Sequence, residues 1–471
     1  MNTELTPHIA QRKSVIIIGA GISGLTVAYF LKKNGFDVTL LEADSEVGGT
    51  MKTEIVDGYL IETGPNSALE TNPHIKEIVD GVGIANEMVY ANERANKRYI
   101  LKDGTLHAMP MSPPAFLKTK LLSAKGKLRV AGELFQGKAY AEESVAQFVE
   151  GRLGKEFLDY FINTFVAGVF AGNPEMLSVC SAFPKLYALE EKYGGLIRGM
   201  IRGRKERKQK AKSGEQSKES AKMFSFKNGM QTLPNAIAKF LCEDIFLNAK
   251  VEHVIPMRDG NKCMFTVSYT HEGKLQQVQS HNVVFAIPAY QLAEIIRSID
   301  PEMSKTLSAI YYPPVAEVFF GFKKEQIERE LDGFGFLIPE KEKRNILGTI
   351  WSSSLFENRS PNDYEALTAF VGGSRQPELC KLNDEQLSEI VLNELQSIMN
   401  IEGKPHFVKI NRWQKAIPQY ELGYYKIEQT FEKFEQNFCG AFLCANFRGG
   451  ISVGDCVKSG EAMARRVLEA N

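Results

Sequence analysis

Two glycine-rich stretches, more than four hundred residues apart, have compositions that could bind a phosphate group or a cofactor ring. The first matches G-x-G-x-x-G and consists of Gly19, Ala20, Gly21, Ile22, Ser23 and Gly24. Glycines at these positions let the backbone approach a pyrophosphate, which then lies at the N-terminus of a helix. The second, "ANFRGGISVGDCVKSG", has the form of a glycine-rich turn followed by a helix.

A strand-helix-strand unit is predicted around the first stretch. Residues 15–18 are apolar and β-branched, which is typical of a central strand in a parallel sheet. Helix-forming residues follow as far as Lys33, with Gly35 as the expected C-cap. The next strand, "DVTLLE", ends in Glu42, whose carboxylate would accept a ribose hydroxyl. In this context the glycines predict dinucleotide binding; the alternative is a chance glycine-rich turn.

The residues after Glu42 favour FAD over NAD. A second glycine pair follows in "ADSEVGGTMKT", and it resembles the extended fingerprint of the flavin amine oxidase superfamily. That superfamily usually has an arginine two residues before the pair, where this chain has Glu46, and we expect one contact to be weaker. The resemblance places these further residues at FAD: Ala43, Gly48, Gly49, Thr50, Gly64, Pro65, Asn66 and Ser67. Composition alone would make the last four an ordinary surface turn.

The C-terminal glycine stretch is expected under the flavin ring. In the superfamily the chain leaves the nucleotide domain, builds a substrate domain and returns with a helix N-terminus facing the ring. Negative charge grows on the ring during reduction, and a helix N-terminus stabilises such charge. Ile451, Ser452 and Val453 would lie nearest, with Ser452 as N-cap. A purely structural turn before a last helix is the alternative.

The rest of the chain predicts two interleaved domains and a helical region. "NAKVEHVIPM", "MFTVSYTH" and "HNVVFAIPAY" indicate a β-meander and a strand that re-enters the nucleotide sheet, with Val251 at the adenine end. We expect residues 283–288 to close that sheet. Apolar residues at helical spacing predict helices between about 110 and 200. "MPMSPPAFLKTKLLS" is either an interfacial segment or a proline-rich connection packed on the domain.

A basic run covers residues 198–212, with eight basic side chains against one acid. Such a run usually forms a solvated, flexible loop, although it would also suit anionic lipid headgroups. Over the whole chain Lys+Arg and Asp+Glu both number 57, so a basic excess for nucleic acid is absent. Seven cysteines without C-x-x-C fit a reducing compartment. No metal-ligand spacing occurs among the histidines.

Several longer stretches resemble one family, the protoporphyrinogen oxidases, with the plant-type enzymes nearest. They are "FVAGVFAGNPEMLSVCSAFPKLYALEEKYGGLIRG", "FSFKNGMQTLP", "GFGFLIP", "LGTIWSSSLFENRSP", "AFVGGSRQPEL" and "ANFRGGISVGDCVKSG". The resemblance implies a tetrapyrrole substrate in contact with Arg98, Ala167, Gly168, Leu337, Ile350 and Phe370. Arg98 would pair with a propionate, and the three large apolar residues would sandwich pyrrole rings. Trp413 would flank the isoalloxazine.

Each of these residues also has an ordinary structural interpretation. Arg98 could be a surface arginine on a strand edge, and the apolar residues and Trp413 could belong to a core. The resemblance implies an α/β fold with an α+β substrate part, in which a Rossmann-type FAD domain is interleaved with a mixed-sheet substrate domain and a helical membrane-facing domain. The predicted boundaries are 1–90, 223–300 and 411–471 for the FAD domain, 91–205 for the helical domain, 206–222 for a basic flexible loop, and 301–410 for the substrate domain.

The implied reaction is oxidation of protoporphyrinogen IX to protoporphyrin IX by FAD, with O2 as acceptor and hydrogen peroxide as by-product. A coproporphyrinogen III oxidase, an amine or polyamine oxidase, and a non-catalytic flavin-binding scaffold are the alternatives. No side chain is predicted as acid or base, since the flavin carries the chemistry. The expected location is the cytoplasm, with contact to the inner face of the cell membrane. Ferrochelatase and a second copy of the chain are the further partners expected.

Overall fold

The computed structural model describes residues 13–135, 142–212, 221–259 and 262–470. A five-stranded sheet, parallel throughout, carries the first glycine stretch. Its strands, in spatial order, are Ile245–Phe246, Asp37–Leu41, Ser14–Ile18, Val283–Phe285 and Ala441–Leu443. The helix Ile22–Lys33 follows the central strand directly, so the predicted strand-helix-strand unit is confirmed.

One expectation about this sheet is wrong. Val283–Phe285 lies inside the sheet, and Ala441–Leu443 forms the edge that residues 283–288 were expected to form. The edge strand has three residues, all buried. A run this short gives no periodic pattern, so sequence reasoning had no means of detecting it. The predicted β-meander is confirmed as Lys250–Asp259, Lys262–His271 and Lys274–Ser280.

A seven-stranded mixed sheet forms the second layer. Its order is Phe407–Trp413, Val315–Lys323, Tyr364–Gly372, Gly348–Trp351, Gly333–Leu337, Lys97–Lys102 and Thr105–Ala108. Gly333–Leu337 and Lys97–Lys102 pair in parallel, and the other neighbours are antiparallel. On one face Trp351, Phe320 and Phe322 pack into a core with the helix Asp384–Met399. On the opposite face Val315 and Phe319 belong to two smaller clusters of buried residues.

Two strands of this sheet lie where the helical domain 91–205 was expected to begin. Lys97–Lys102 and Thr105–Ala108 form a hairpin, and Phe407–Trp413 crosses the expected boundary at 410. Asp103 and Gly104 join the hairpin strands with φ of 51° and 72°. Asp-Gly between two runs that contain apolar residues is a hairpin signal, so the sequence contained the information that was missed.

The predicted helical region is confirmed between about 113 and 212. Its helices are Pro113–Lys118, Ala124–Ala131, Val145–Leu153, Lys155–Phe157, Asn163–Phe170, Val179–Ala182, Pro184–Tyr193 and Leu196–Lys212, with a π turn at Leu158–Ile162. Across the described ranges, no helix combines the length and apolar character that crossing a bilayer requires.

The basic flexible loop predicted over 206–222 is helical at its start. Leu196–Lys212 is one helix, and the Lys192 ammonium and Tyr193 hydroxyl donate hydrogen bonds to Glu206 at 3.0 and 2.7 Å. Lys, Arg, Gln and Glu are good helix formers, so a run of charge does not by itself predict a loop. Residues 213–220 lie outside the described residues.

Smaller elements connect these layers. The strands are Thr53–Val56 paired with Tyr59–Glu62, and Met223–Phe226 between Ala68–Leu69 and Met88–Tyr90. The remaining helices are Pro73–Gly81, Thr232–Leu241, Ala289–Ile296, Pro301–Ser308, Ser352–Leu355, Tyr424–Asn437 and Val453–Glu469. Val453–Glu469, the last helix, packs along the first one. This contact brings the two glycine-rich stretches together.

We predict that Gly460→Val destabilises the protein through this contact. A Cβ at Gly460 would lie 2.8 Å from the Cβ of Thr26, closer than side chains approach. Overpacking of this kind costs about 1–3 kcal/mol, and urea unfolding followed by circular dichroism would measure it. Ala462→Val is the control, because Ala462 is exposed on the same helix. Equal unfolding midpoints for the two variants would contradict the prediction.

Candidate active site

The first glycine stretch forms a turn that is tightly packed on one side and open on the other. A Cβ at Gly24 would overlap the carbonyl oxygen of Gly19, whose own φ is 103°. Nothing lies within 4 Å of a Cβ placed at Gly21. Gly21 is the N-cap of the helix Ile22–Lys33, and no side chain caps that helix. The N-terminus of this helix therefore offers donors and space to an anion.

Glu42 is held beside this turn by backbone donors. Its Oε2 accepts from the amide of Ala20 at 2.6 Å, and its Oε1 accepts from the amide of Asp44 at 2.9 Å. Each carboxylate oxygen can accept a further hydrogen bond, so both can still bind hydroxyl groups. Glu42 also accepts a hydrogen bond at its carbonyl from the amide of Ala249, two residues before Val251. The structure thus brings Glu42 and Val251 together, while Ala43 is exposed.

The second glycine pair rests directly on the first turn. The amide of Gly48 donates to the carbonyl of Ala20 at 2.9 Å, and a Cβ at Gly49 would be 3.3 Å from the Cα of Gly21. A side chain at Gly49 would crowd the first turn, and one at Gly48 would overlap the carbonyl oxygen of Met51. An anion cradle of backbone amides, with a carboxylate beside it, fits the pyrophosphate and ribose of a dinucleotide.

Glu46 stands where the superfamily usually has an arginine, and Lys52 offsets its charge. The Lys52 ammonium lies 2.8 Å from Glu46 Oε1, and the amide of Gln231 donates to Glu46 Oε2 at 2.9 Å. The hydrogen bond from Lys52, followed by that from Gln231, lowers the pKa of the Glu46 carboxyl. The acidic side chain is therefore tied to a neighbouring cation rather than directed at the turn.

The turn at residues 64–67 is packed between the glycine cradle and the seven-stranded sheet. A Cβ at Gly64 would overlap the carbonyl oxygen of Thr50. The preceding carbonyl, that of Thr63, accepts hydrogen bonds from the Trp413 indole at 2.6 Å and from the Asn411 amide at 3.0 Å. Pro65, Asn66 and Ser67 are half-buried. The structure therefore joins this predicted flavin turn to Trp413.

The C-terminal stretch lies beside the same cradle. Ser452 Oγ accepts a hydrogen bond from the amide of Asp455 at 3.1 Å, so Ser452 is confirmed as the N-cap of the last helix. The Tyr420 hydroxyl accepts from the amide of Gly450 at 3.1 Å and holds the turn before it. Ile451 is half-buried and Val453 is buried. A second helix N-terminus is thus fixed near the first, as a long cofactor requires.

One face of the seven-stranded sheet collects the residues predicted to contact a tetrapyrrole. Strand register places Arg98, Gly335 and Ile350 in one row. The next row on the same face contains Leu337, Gly348 and Phe370. Side chains two residues apart along a strand point to the same face. Leu337, Ile350 and Phe370 are half-buried, whereas the alternating residues on the other face are buried in a core.

The helix Asn163–Phe170 covers this face. A Cβ at Gly168 would lie 2.8 Å from Leu337 Cδ2, and Ala167 packs with Leu347 and Phe370. Arg98 is exposed, with its guanidinium carbon 5.8 Å from the centre of the Phe334 ring. Within the described ranges no carboxylate forms an ion pair with it. We take the apolar surface between this helix and the sheet, with the exposed Arg98 at its edge, as the candidate substrate cleft.

Two buried acids near this cleft were missed by sequence reasoning. Burial raises the pKa of Glu62 to about 7, although hydrogen bonds from Thr53 and Met230 and the charge of Arg359 oppose the shift. Burial, with the charge of Glu62, also raises the pKa of Glu317. Each acid stands alone in an apolar strand, in "GYLIE" and "VAEVFFGF". A single acid in such a run is the signal that could have identified them.

A glycine turn at a helix N-terminus, a carboxylate beside it and a second glycine turn are the arrangement expected of a flavin-dependent oxidoreductase. The chain belongs to the flavin-containing amine oxidoreductase family, whose model matches residues 22–468. Within it the chain groups with the porphyrinogen oxidases. It is 34% identical to protoporphyrinogen oxidase 2, chloroplastic/mitochondrial, of Arabidopsis thaliana, over 97% of this chain and 94% of that protein.

One further relative agrees with this grouping, and one solved structure supports the fold. The coproporphyrinogen III oxidase of Bacillus subtilis (strain 168) is 28% identical over 97% of this chain and 98% of that protein. A solved structure from Exiguobacterium sp. 255-15, assigned as a protoporphyrinogen oxidase, superposes with a TM-score of 0.78. It is 24% identical and covers 97% of this chain and 99% of that one, so it supports the fold. FAD is the cofactor of this protein.

Proposed function

We propose that the protein oxidises protoporphyrinogen IX to protoporphyrin IX, with O2 as the final electron acceptor and hydrogen peroxide as by-product. The observation that carries the proposal is the single sheet face shared by Arg98, Leu337, Ile350 and Phe370, with the helix Asn163–Phe170 above it. These residues come from three distant parts of the chain. A flat apolar macrocycle with carboxylates on one edge matches a cleft with apolar walls and a cation at the mouth.

The chain contributes binding, orientation and exclusion of water. FAD, when bound, supplies two-electron oxidation. The candidate residues for FAD are the cradle at 19–24, Glu42, the turns at 48–50 and 64–67, Trp413 and the segment 451–453. Leu337, Ile350 and Phe370 would hold the pyrrole rings, and the absence of a side chain at Gly168 lets Leu337 pack beneath the helix. Arg98 would bind one propionate through two parallel hydrogen bonds.

Coproporphyrinogen III is the second candidate substrate, because relatives of that activity cover the chain as fully as the protoporphyrinogen oxidases do. It carries four carboxylates instead of two. Lys97, beside Arg98 in the sequence, forms an ion pair with Asp332, and the Tyr99 hydroxyl donates to the same carboxylate at 2.7 Å. Of the two adjacent cations Lys97 and Arg98, only Arg98 is without an ion pair among the described residues, which favours the dicarboxylate.

Side-by-side oxidation of the two porphyrinogens by the flavin-loaded protein tests the proposal. Porphyrin fluorescence is followed in air, and the apoprotein provides the rate of spontaneous oxidation. Faster turnover of protoporphyrinogen IX supports the proposal. Preference for coproporphyrinogen III would keep the reaction type and replace the substrate. No turnover of either, with reducible flavin present, would refute it, and amines would be assayed next.

We also propose peripheral contact with a membrane surface through the helical region. Met111, Leu117 and Leu128 expose 69%, 71% and 74% of their surface, and Lys118 and Lys120 lie between them in sequence. Apolar side chains flanked by lysines suit the boundary of an anionic bilayer. Ferrochelatase and a second copy of the chain stay predictions as partners.

We predict that Leu117→Glu combined with Leu128→Glu abolishes co-flotation with anionic vesicles. Two buried leucines would contribute about 3 kcal/mol to partition, so their loss should lower bound protein by ~100-fold. Leu275→Glu is the control, because Leu275 is 67% exposed on the β-meander, away from the helical region. Equal flotation of wild type and the double variant would refute this surface.

A further inference from the structure

Two buried carboxyl groups lie beside the candidate site, and no role described so far uses them. Glu62 precedes Thr63, whose carbonyl binds Trp413. Glu317 lies in the sheet row between Asn411 and Phe370. Glu62 and Glu317 are 6% and 7% exposed. The pair is therefore positioned under the junction of the predicted flavin and tetrapyrrole sites.

Glu62 lines a small cavity that reaches both predicted sites. The cavity is lined by residues that include Asn66, from the flavin turn, and Ile350, from the tetrapyrrole face, together with Phe319, Ser352, Arg359 and Thr368. The charged and titratable groups facing Glu62 are Arg359, from the segment after the helix Ser352–Leu355, and Glu317, from the sheet. Glu62 is the carboxyl group of the pair that contacts this space.

The hydrogen bonds of the pair leave acceptor capacity. Glu62 Oε2 accepts from the Thr53 hydroxyl at 2.7 Å, and its Oε1 accepts from the amide of Met230 at 2.9 Å. Each oxygen can accept one more proton or hydrogen bond. Glu317 Oε2 is buried and has no hydrogen-bond partner among the described residues. Arg359 donates to Ser225 and to the carbonyl of Phe226 at 2.8 and 3.0 Å, which fixes its guanidinium near Glu62.

Oxidation of a porphyrinogen by two electrons requires a base. When a methylene C–H bond breaks, FAD, if bound, would supply the acceptor for the hydrogen and its electron pair as a hydride. The positive charge that results is shared by a pyrrole ring, which then loses its N–H proton. The electron pair of the N–H bond stays on nitrogen, and the proton needs an acceptor in a cleft that excludes water.

We infer that Glu62 is this proton acceptor and that Glu317 is its uncharged companion, an inference that rests on the proposed function. Two buried carboxyl groups whose charges interact do not both ionise. Arg359 and the two donors to Glu62 favour the charge there, and Glu317, without such partners, keeps its proton. The proton taken from the pyrrole nitrogen converts the Glu62 carboxylate into a carboxylic acid.

The pH dependence follows from the pKa of Glu62, which burial raises to about 7. A base must be deprotonated to work, so kcat/KM should fall as the pH falls through about 7. Glu62→Gln should remove this decrease of kcat/KM on the acidic side of the pH profile, here called the acidic limb. It should also lower kcat/KM by ~100-fold or more. Glu317→Gln should keep the acidic limb of the pH profile, because a glutamine is neutral like a protonated glutamate. Glu394→Gln is the control: Glu394 is buried, but it lies on the helix over the opposite face of the sheet.

The test combines pH profiles of porphyrinogen oxidation with infrared titration of the flavin-loaded, substrate-free protein. The carbonyl band of one protonated carboxyl should titrate near neutral pH in wild type and in Glu317→Gln, and should be missing in Glu62→Gln. Flavin content and circular dichroism establish that each variant is folded. If Glu62→Gln keeps both the acidic limb of the kcat/KM profile and the titrating carbonyl band, the inference is overturned. A wild type that oxidises neither porphyrinogen would instead overturn the proposed function.

Discussion

Gly21→Val should yield a folded protein without flavin. Gly21 has φ of −69° and nothing within 4 Å of a Cβ, so valine causes neither backbone strain nor a clash within the chain. Its side chain would occupy the space above the N-terminus of the first helix, where the pyrophosphate would bind. Loss of two charge-assisted hydrogen bonds costs about 3 kcal/mol or more, at least ~100-fold in the dissociation constant for FAD.

The measurement is flavin absorbance per protein after purification, with FAD titration of the apoprotein. Gly151→Val is the matched control, because Gly151 also has nothing within 4 Å of a Cβ but lies in the helix Val145–Leu153. Both variants should keep wild-type circular dichroism. A yellow Gly21→Val protein with full occupancy would mean that the glycine cradle does not bind the cofactor.

Arg98→Ala should raise KM for the porphyrinogen by ~30-fold while flavin occupancy and kcat change little. Arg98 lies at the mouth of the cleft, and the proposed ion pair with a propionate forms equally in the bound substrate and the transition state. A lost interaction of that kind raises KM alone. A charge-assisted pair of hydrogen bonds contributes about 2 kcal/mol, which corresponds to the ~30-fold rise in KM.

Arg98→Lys separates charge from geometry, because lysine keeps the charge but cannot form the bidentate fork. Its KM should lie between those of wild type and Arg98→Ala. Arg297→Ala removes an exposed arginine on another part of the surface and should leave KM unchanged. An unchanged KM in Arg98→Ala would exclude the propionate contact.

The sequence predicted the local units of the fold better than their assembly. The strand-helix-strand unit around Gly21 and the β-meander follow from contiguous patterns of apolar residues, and both are present. The edge strand Ala441–Leu443 is too short for any pattern and depends on pairing with Val283–Phe285. Helix formation over 206–212 depends on propensity, which the charge of the run obscured.

The contacts of the candidate site also fall into local ones, which the sequence predicted, and ones that depend on assembly of the fold. The glycine cradle and Glu42 are adjacent in one local motif, so their meeting could be predicted. Arg98 and Leu337 are linked only through strand pairing between distant segments, and a family resemblance was needed to suggest it. Glu62 and Glu317 become a coupled pair because a hairpin packs on the sheet. No local pattern contains that contact, and neither acid was singled out.

The contact between the first and last helices also sets an order of events during synthesis. The ribosome makes the cradle at 19–24 early, but the strand Ala441–Leu443 and the helix that covers Thr26 leave it more than four hundred residues later. Until then Val283–Phe285 lacks its neighbouring strand and the first helix lacks the last helix that packs on it, and such partly assembled chains are prone to aggregation. We therefore expect a nascent chain to acquire its cofactor only after release, and a chain truncated before the last helix to stay without flavin.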